Sequence, residues 1–154
     1  MIITGAIFDI DGTLIDSMKI WDNLGERYLL ELGIQPEANL SKILYPMTLN
    51  ESCIYLKKHY SLAYSTNKIK QDLLKILNDF YYFEVPSKKG ITSFLTTLKK
   101  LNIPMVLATS GNKKLSIAAL KRLNLLKYFE AFLHVMNYKQ QKKNLIFSIK
   151  LLII

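Results

Sequence analysis

Ile2-Ile3-Thr4-Gly5-Ala6-Ile7-Phe8-Asp9-Ile10-Asp11-Gly12-Thr13-Leu14-Ile15-Asp16-Ser17 opens the chain, and its reading decides the fold. Residues 2–8 are a short, nearly continuous apolar run. Such a run predicts a strand buried on both faces, as in parallel sheets. It stops at Asp9-Ile10-Asp11-Gly12-Thr13, a turn-forming segment. Two carboxylates are therefore expected at the carboxyl end of a buried strand, where open parallel sheets bind ligands. Spaced two residues apart beside a glycine turn, they can divide phosphoryl transfer between them. One attacks phosphorus and forms an acyl phosphate. The other protonates the leaving oxygen and later deprotonates water. Gly12 permits the sharp turn that faces both into one pocket.

Two plainer readings compete. A D-x-D-G segment also occurs in calcium loops, but an EF-hand loop carries further oxygen ligands and a glutamate at its last position. Here Leu14 and Ile15 follow, and an apolar strand precedes. Asp and Gly are also ordinary turn formers. The strand context favours the phosphoryl-transfer reading over both.

Working outward, residues 17–88 read as a helical block without strands. Met18, Trp21, Leu24, Tyr28, Leu29 and Leu32 recur at helical spacing, with Gly33 as a stop. Core packing is the expectation for Met18 and Trp21, and a substrate-facing place near the hinge of the block is the alternative. Pro36 to Tyr45 predicts a shorter helix closed by Pro46. Thr48-Leu49-Asn50-Glu51 is a capping box. Ser65 or Thr66 caps a further helix carrying Ile69, Leu73, Leu74, Leu77, Phe80 and Tyr81. A second pattern follows. Ile91, Phe94, Leu95, Leu98 and Leu101 mark a helix. Residues 103–108 read as a strand, with Pro104 tolerable at its start. Thr109-Ser110-Gly111-Asn112 is a loop; Leu115, Ala118, Ala119 and Leu123 mark another helix; Phe132 to Val135 begins a third strand. This order predicts an α/β fold: a parallel, Rossmann-like core, incomplete, with an inserted all-helical domain. The expected division is 1–16 with 89–154 as core, and 17–88 as insertion.

Composition narrows the function classes. The chain has 154 residues, half of them hydrophobic, so it can build a core. A single cysteine, Cys53, rules out an internal disulfide framework and suits a cytoplasmic setting. No secretory signal and no bilayer-long apolar stretch is seen, so no membrane association is expected. The formal charge is +9, but the lysines are scattered and not interleaved with aromatics. Nucleic acid is therefore not the expected partner.

The stretch Ile7 to Ser17 closely resembles the opening motif of the haloacid dehalogenase superfamily. That resemblance implies Asp9 as nucleophile and Asp11 as general acid/base. It also implies Mg²⁺, held by the Asp9 carboxylate, the Asp11 backbone carbonyl and an acidic residue much later in the chain. The helical block resembles the family's cap, which closes over the site and selects substrate. Leu107-Ala108-Thr109-Ser110-Gly111-Asn112 resembles the second motif. There Thr109 would bind the transferring phosphoryl group through its hydroxyl, and backbone N–H groups near Ser110 and Gly111 would help cradle it. Dehalogenases of the family lack the second aspartate, so Asp11 points to a phosphatase or a sugar phosphomutase acting on a small phosphorylated metabolite. The sequence does not separate these two, and it leaves the oligomeric state open.

The resemblance breaks later. The family's third motif is a lysine near proline and aspartate; Lys139, Lys142 and Lys143 lack that context. Its fourth is an acidic pair, yet Glu130 is the only acidic residue after Thr109. Residues 134–154 read as foreign to the family. Shifted by two bases, codons for Lys143 to Phe147 can encode Lys-Pro-Asp-Ile-Phe, the third-motif pattern. Likewise, Leu133 to Asn137 can encode Thr-Cys-Asp-Glu. A frameshift near Leu133 with early termination is therefore expected, and a short variant with a new tail is the alternative. Either way a third reading stands beside the two enzymes: an inactive fragment, with an uncovered sheet edge and low stability.

Overall fold

The computed structural model describes residues 4–134. The expectations for Ile2 and Ile3, the lysine candidates and the rest of the tail lie outside them. The chain divides into two compact units. One holds the residues up to Asp16 and those from Val85 onward; the other is Ser17–Glu84.

The first unit is built on a parallel sheet of three strands among the described residues, ordered β1 (Ala6–Phe8), β2 (Met105–Thr109), β3 (Ala131–His134). Phe8 lies opposite Leu107, and Thr109 opposite His134. β2 buries Met105, Leu107 and Thr109, every second residue, against the packed side. Helix α5 (Ile91–Lys100) begins after Gly90, whose φ of 81° suits a residue without Cβ. Helix α6 (Lys113–Arg122) follows β2 and is capped by the Asn112 side chain, which accepts from the N–H groups of Lys114 and Leu115. Ile10, Leu14, Ile15, Leu95, Leu107, Ala119, Leu120 and Leu125 are wholly buried. Phe8 adds edge-to-face contacts with Phe94 and Phe129.

The second unit contains α1 (Met18–Glu31), α2 (Leu40–Leu44), α3 (Leu49–His59) and α4 (Thr66–Asp79), then a π-helical turn, Phe80–Glu84. Its local signals act as expected. Gly33 terminates α1's exit with a φ of 73°. Thr48 and Glu51 form both bonds of the capping box, and the Ser65 hydroxyl accepts from the Lys68 N–H. The apolar stripes interlock: Ile20, Leu24, Tyr28 and Leu29 of α1, Leu56 of α3, and Ile69 and Leu73 of α4 are buried. Each such side chain contributes roughly 1.5–3 kcal/mol.

Several details differ from the sequence reading, first among them β1, whose three residues are half-buried rather than buried on both faces. Met18 and Trp21 are about half exposed, at 54% and 51%, rather than in the core. At 100° per residue both fall within the arc set by residues 20, 24, 28 and 29, so helical spacing does not account for their exposure; both stand in the first turn of α1. Pro36 to Asn39 precede α2 without joining it. They are tied instead to α3: Glu37 N–H donates to the Tyr60 hydroxyl, and Glu37 Oε1 accepts from the Tyr55 hydroxyl, which pushes the Tyr55 phenol up to about 12. Finally, residues 85–88 are not helical. They run antiparallel to the loop exit, with Ile15 bridging Ser87. Among the described residues no helix is long and apolar enough to cross a membrane.

Candidate active site

Asp9 is the first residue past β1, and Thr109 is the last residue of the adjacent parallel β2. Parallel register thus puts both at one end of the sheet. Between Ile10 and Ile15 the chain closes into a tight loop. The Ile10 carbonyl faces the N–H groups of Thr13, Leu14 and Ile15, and the Gly12 N–H donates to the Ile15 carbonyl at 3.0 Å. Gly12 turns the corner with a φ of 77°. Ile10, Leu14 and Ile15 sink into the core, which leaves Asp9 and Asp11 on the outward side of the loop.

The second motif meets the first motif's loop at Gly111. A Cβ added to Gly111 would stand 2.6 Å from Asp11 Oδ2 and 3.3 Å from Thr109 Oγ1. Only a residue without a side chain fits there undisturbed, because the Gly111 backbone lies against the Asp11 carboxylate. Thr109 is buried, and its Oγ1 accepts the Gly111 N–H at 3.0 Å. That N–H, expected to cradle a phosphoryl group, thus has the Thr109 hydroxyl as a partner. The Thr109 O–H hydrogen remains able to donate outward. Ser110 is exposed at the turn.

Electrostatics set Asp9 apart. Its residue surface is open to solvent, yet the protein crowds its carboxyl, and desolvation is the largest influence on its pKa, pushing it up. The Ile10 N–H opposes this by hydrogen bonding, and the nearby Asp11 charge adds to the rise. Among the described residues no group of three acidic, histidine or cysteine side chains could hold a metal. Asp9 and Asp11 nonetheless supply hard oxygen donors. Mg²⁺ commonly takes one or two carboxylates, keeping waters and substrate phosphate for its other positions. The donor chemistry therefore fits this ion.

A family model, haloacid dehalogenase-like hydrolase, matches residues 6–149. The chain belongs to this family. The match continues past residue 134, so it includes most of the segment that reads as foreign to the family. A curated relative, hexitol phosphatase A of Escherichia coli K12, is 28% identical over 118 residues. That alignment takes in 70% of this chain and 49% of the relative, so the chain spans about half of that protein's length. Among solved structures, a Thermotoga maritima protein described as a beta-phosphoglucomutase superposes with a TM-score of 0.82 at 22% identity, covering 97% of this chain and 71% of that one. A magnesium-bound hydrolase of the family from Bacillus subtilis gives 0.65 at 12% identity, over 86% and 65%. These likenesses establish the family's parallel core with a helical cap as the fold.

The sequence reading gave no role to three residues of the first unit: Asp16, Lys88 and Arg122. Lys88 Nζ donates to Asp16 Oδ1, and the Arg122 guanidinium donates to the Val85 carbonyl. No periodicity or motif joins positions so far apart in the chain.

Proposed function

We propose that the chain is a Mg²⁺-dependent phosphatase for a small phosphorylated metabolite, working through an aspartyl-phosphate on Asp9. The observation that carries this reading is the convergence of the Asp11 carboxylate, the Thr109 hydroxyl and the Gly111 backbone beside the strand end that bears Asp9. The 28% identity to a hexitol phosphatase supports phosphate-ester hydrolysis over halide chemistry.

An Asp9 oxygen attacks phosphorus, and the P–O bond to the substrate's alkoxide breaks. Asp11 gives its proton to that alkoxide. Asp11, now a carboxylate, takes a proton from water, and the resulting hydroxide attacks phosphorus. The P–O bond to Asp9 breaks, which releases phosphate and restores both aspartates. Thr109 donates its hydroxyl hydrogen to a phosphoryl oxygen, held in place by the Gly111 N–H behind it. Asp9 and Asp11 are the residues that would hold Mg²⁺, the latter through its backbone carbonyl. When bound, the ion neutralises phosphoryl charge.

The test is Mg²⁺-dependent turnover of p-nitrophenyl phosphate by the full chain and by Asp9→Asn. Activity in the first and none in the second is expected. Equal inactivity of both would instead support the fragment reading. With a sugar 1-phosphate, free phosphate is the expected product, and an isomerised sugar phosphate would favour the mutase.

A further inference from the structure

The return segment at residues 85–88 touches the exit of the carboxylate loop and the far end of α6. The Asp16 N–H donates to the Pro86 carbonyl at 2.9 Å, and the Lys88 N–H donates to the Leu14 carbonyl at 2.9 Å. Ile15 is wholly buried between these two bonds and bridges Ser87. Upstream, the Val85 carbonyl accepts from Arg122, the last residue of α6, the helix that starts just after Gly111. A side-chain pair also spans this bracket: Lys88 Nζ donates to Asp16 Oδ1, joining positions 72 apart. The Asp16 side chain is only 18% exposed, and that of Lys88 40%.

The loop just before this bracket has little slack. Its Ile10 carbonyl and the Gly12–Ile15 bond tie its start to its end. A shift at Leu14–Asp16 therefore passes to Asp11 and Gly12 instead of being absorbed. A solvated ion pair contributes little to stability. This one can matter through order, because the bracket's other bonds, two between backbone groups and one from the Arg122 side chain, hold a segment without regular structure.

We propose that Lys88 is a positioning residue: its ion pair with Asp16 fixes the exit of the carboxylate loop and so sets where Asp9 and Asp11 stand relative to Thr109. The catalytic half of this proposal rests on the phosphoryl-transfer reading; the clamp does not.

Hydrogen–deuterium exchange on the full chain reads the clamp directly at the amides of Gly12, Asp16 and Lys88, with α4 amides as reference. Lys88→Met should speed exchange at those three about tenfold and leave α4 unchanged, while Lys88→Arg keeps them slow. Equal exchange in wild type and Lys88→Met would overturn the clamp. So would a rise that includes α4, since that reports global destabilisation. In p-nitrophenyl phosphate turnover, Lys88→Met should lower kcat about tenfold at unchanged KM, with Lys88→Arg restoring it. An unchanged kcat, or a loss confined to KM, would overturn the positioning role. Turnover absent from wild type, or intact in Asp9→Asn, removes the phosphoryl-transfer reading instead, and the exchange result still decides the clamp.

Discussion

The bonds that start the helical unit's helices and the contacts that shape the sheet unit's candidate site differ in kind. In Ser17–Glu84, the side-chain bonds that start helices are local: Thr48 with Glu51, Ser65 with Lys68. In the sheet unit, the contacts that shape the candidate site join distant positions: Asp11 with Gly111, Asp16 with Lys88, Val85 with Arg122. A local contact forms as its helix forms. A distant one exists only once the strands have paired, so the site depends on the whole sheet unit. Substitutions at these two kinds of contact should therefore fail differently: stability alone at the helix caps, function beyond stability at the site's distant contacts.

The largest expected effect is at Asp9. Asp9→Asn keeps the shape and removes the nucleophile, so turnover of p-nitrophenyl phosphate should fall by about 10³-fold or more. Steady-state assay at saturating Mg²⁺ checks it, and residual activity near wild type would break the comparison at its strongest point.

Gly111→Ala comes next. The new methyl would press on the Asp11 carboxylate, at the far end of its side chain, from 2.6 Å. The chain should fold while kcat drops about 10²-fold, because a displaced acid/base costs rate more than stability. Gly25→Ala is the matched control in the helical unit. Its methyl would meet Leu44 Cδ1 at 2.4 Å, again the far end of a side chain, and it should alter melting with no effect on turnover per folded molecule.

Thr48→Ala tests the local side alone. Loss of the cap should cost about 1 kcal/mol, seen in urea unfolding, with kcat unaltered. A change in kcat would show that the helical unit's caps reach the chemistry.

The smallest effect is electrostatic. Desolvation, aided by the Asp11 charge, raises the Asp9 pKa above its ordinary value despite the Ile10 N–H. The folded chain then binds a proton more readily than the unfolded chain. Stability from this group is present at low pH and is lost as pH rises from the ordinary carboxylate value through the folded one. Asp9→Asn should therefore melt slightly above wild type at pH 7, and the gap should close below the ordinary carboxylate range. Thermal melts across pH 3–7, at fixed low salt, measure it.

The same contrast explains what was legible in the sequence. Helix starts at Thr48 and Ser65, the stop at Gly33 and the stripe through Leu24 and Tyr28 are written within a few residues, and each appears in the fold. The strand read at residues 103–108 is observed at Met105–Thr109, and the loop at 109–112 was likewise readable. The π-helical turn at Phe80–Glu84 was not, because the apolar spacing runs on unbroken from α4. There Arg27 reaches both the Phe80 ring and the Glu84 carboxylate, partners more than 50 positions away in the chain. Within the site, Asp9, Asp11 and Thr109 were named from motifs. The closeness of Gly111 to Asp11 and the Lys88–Asp16 pair had no local signature, since a contact between strand ends is a property of the paired sheet.

The central claim is that Asp9 accepts a phosphoryl group. Fluorine-19 NMR of the full chain with Mg²⁺ and beryllofluoride, a mimic of aspartyl phosphate, tests it without needing turnover. The account predicts bound fluorine resonances that require Mg²⁺ and vanish in Asp9→Asn; no bound signal in wild type, or the same signal in Asp9→Asn, would contradict it.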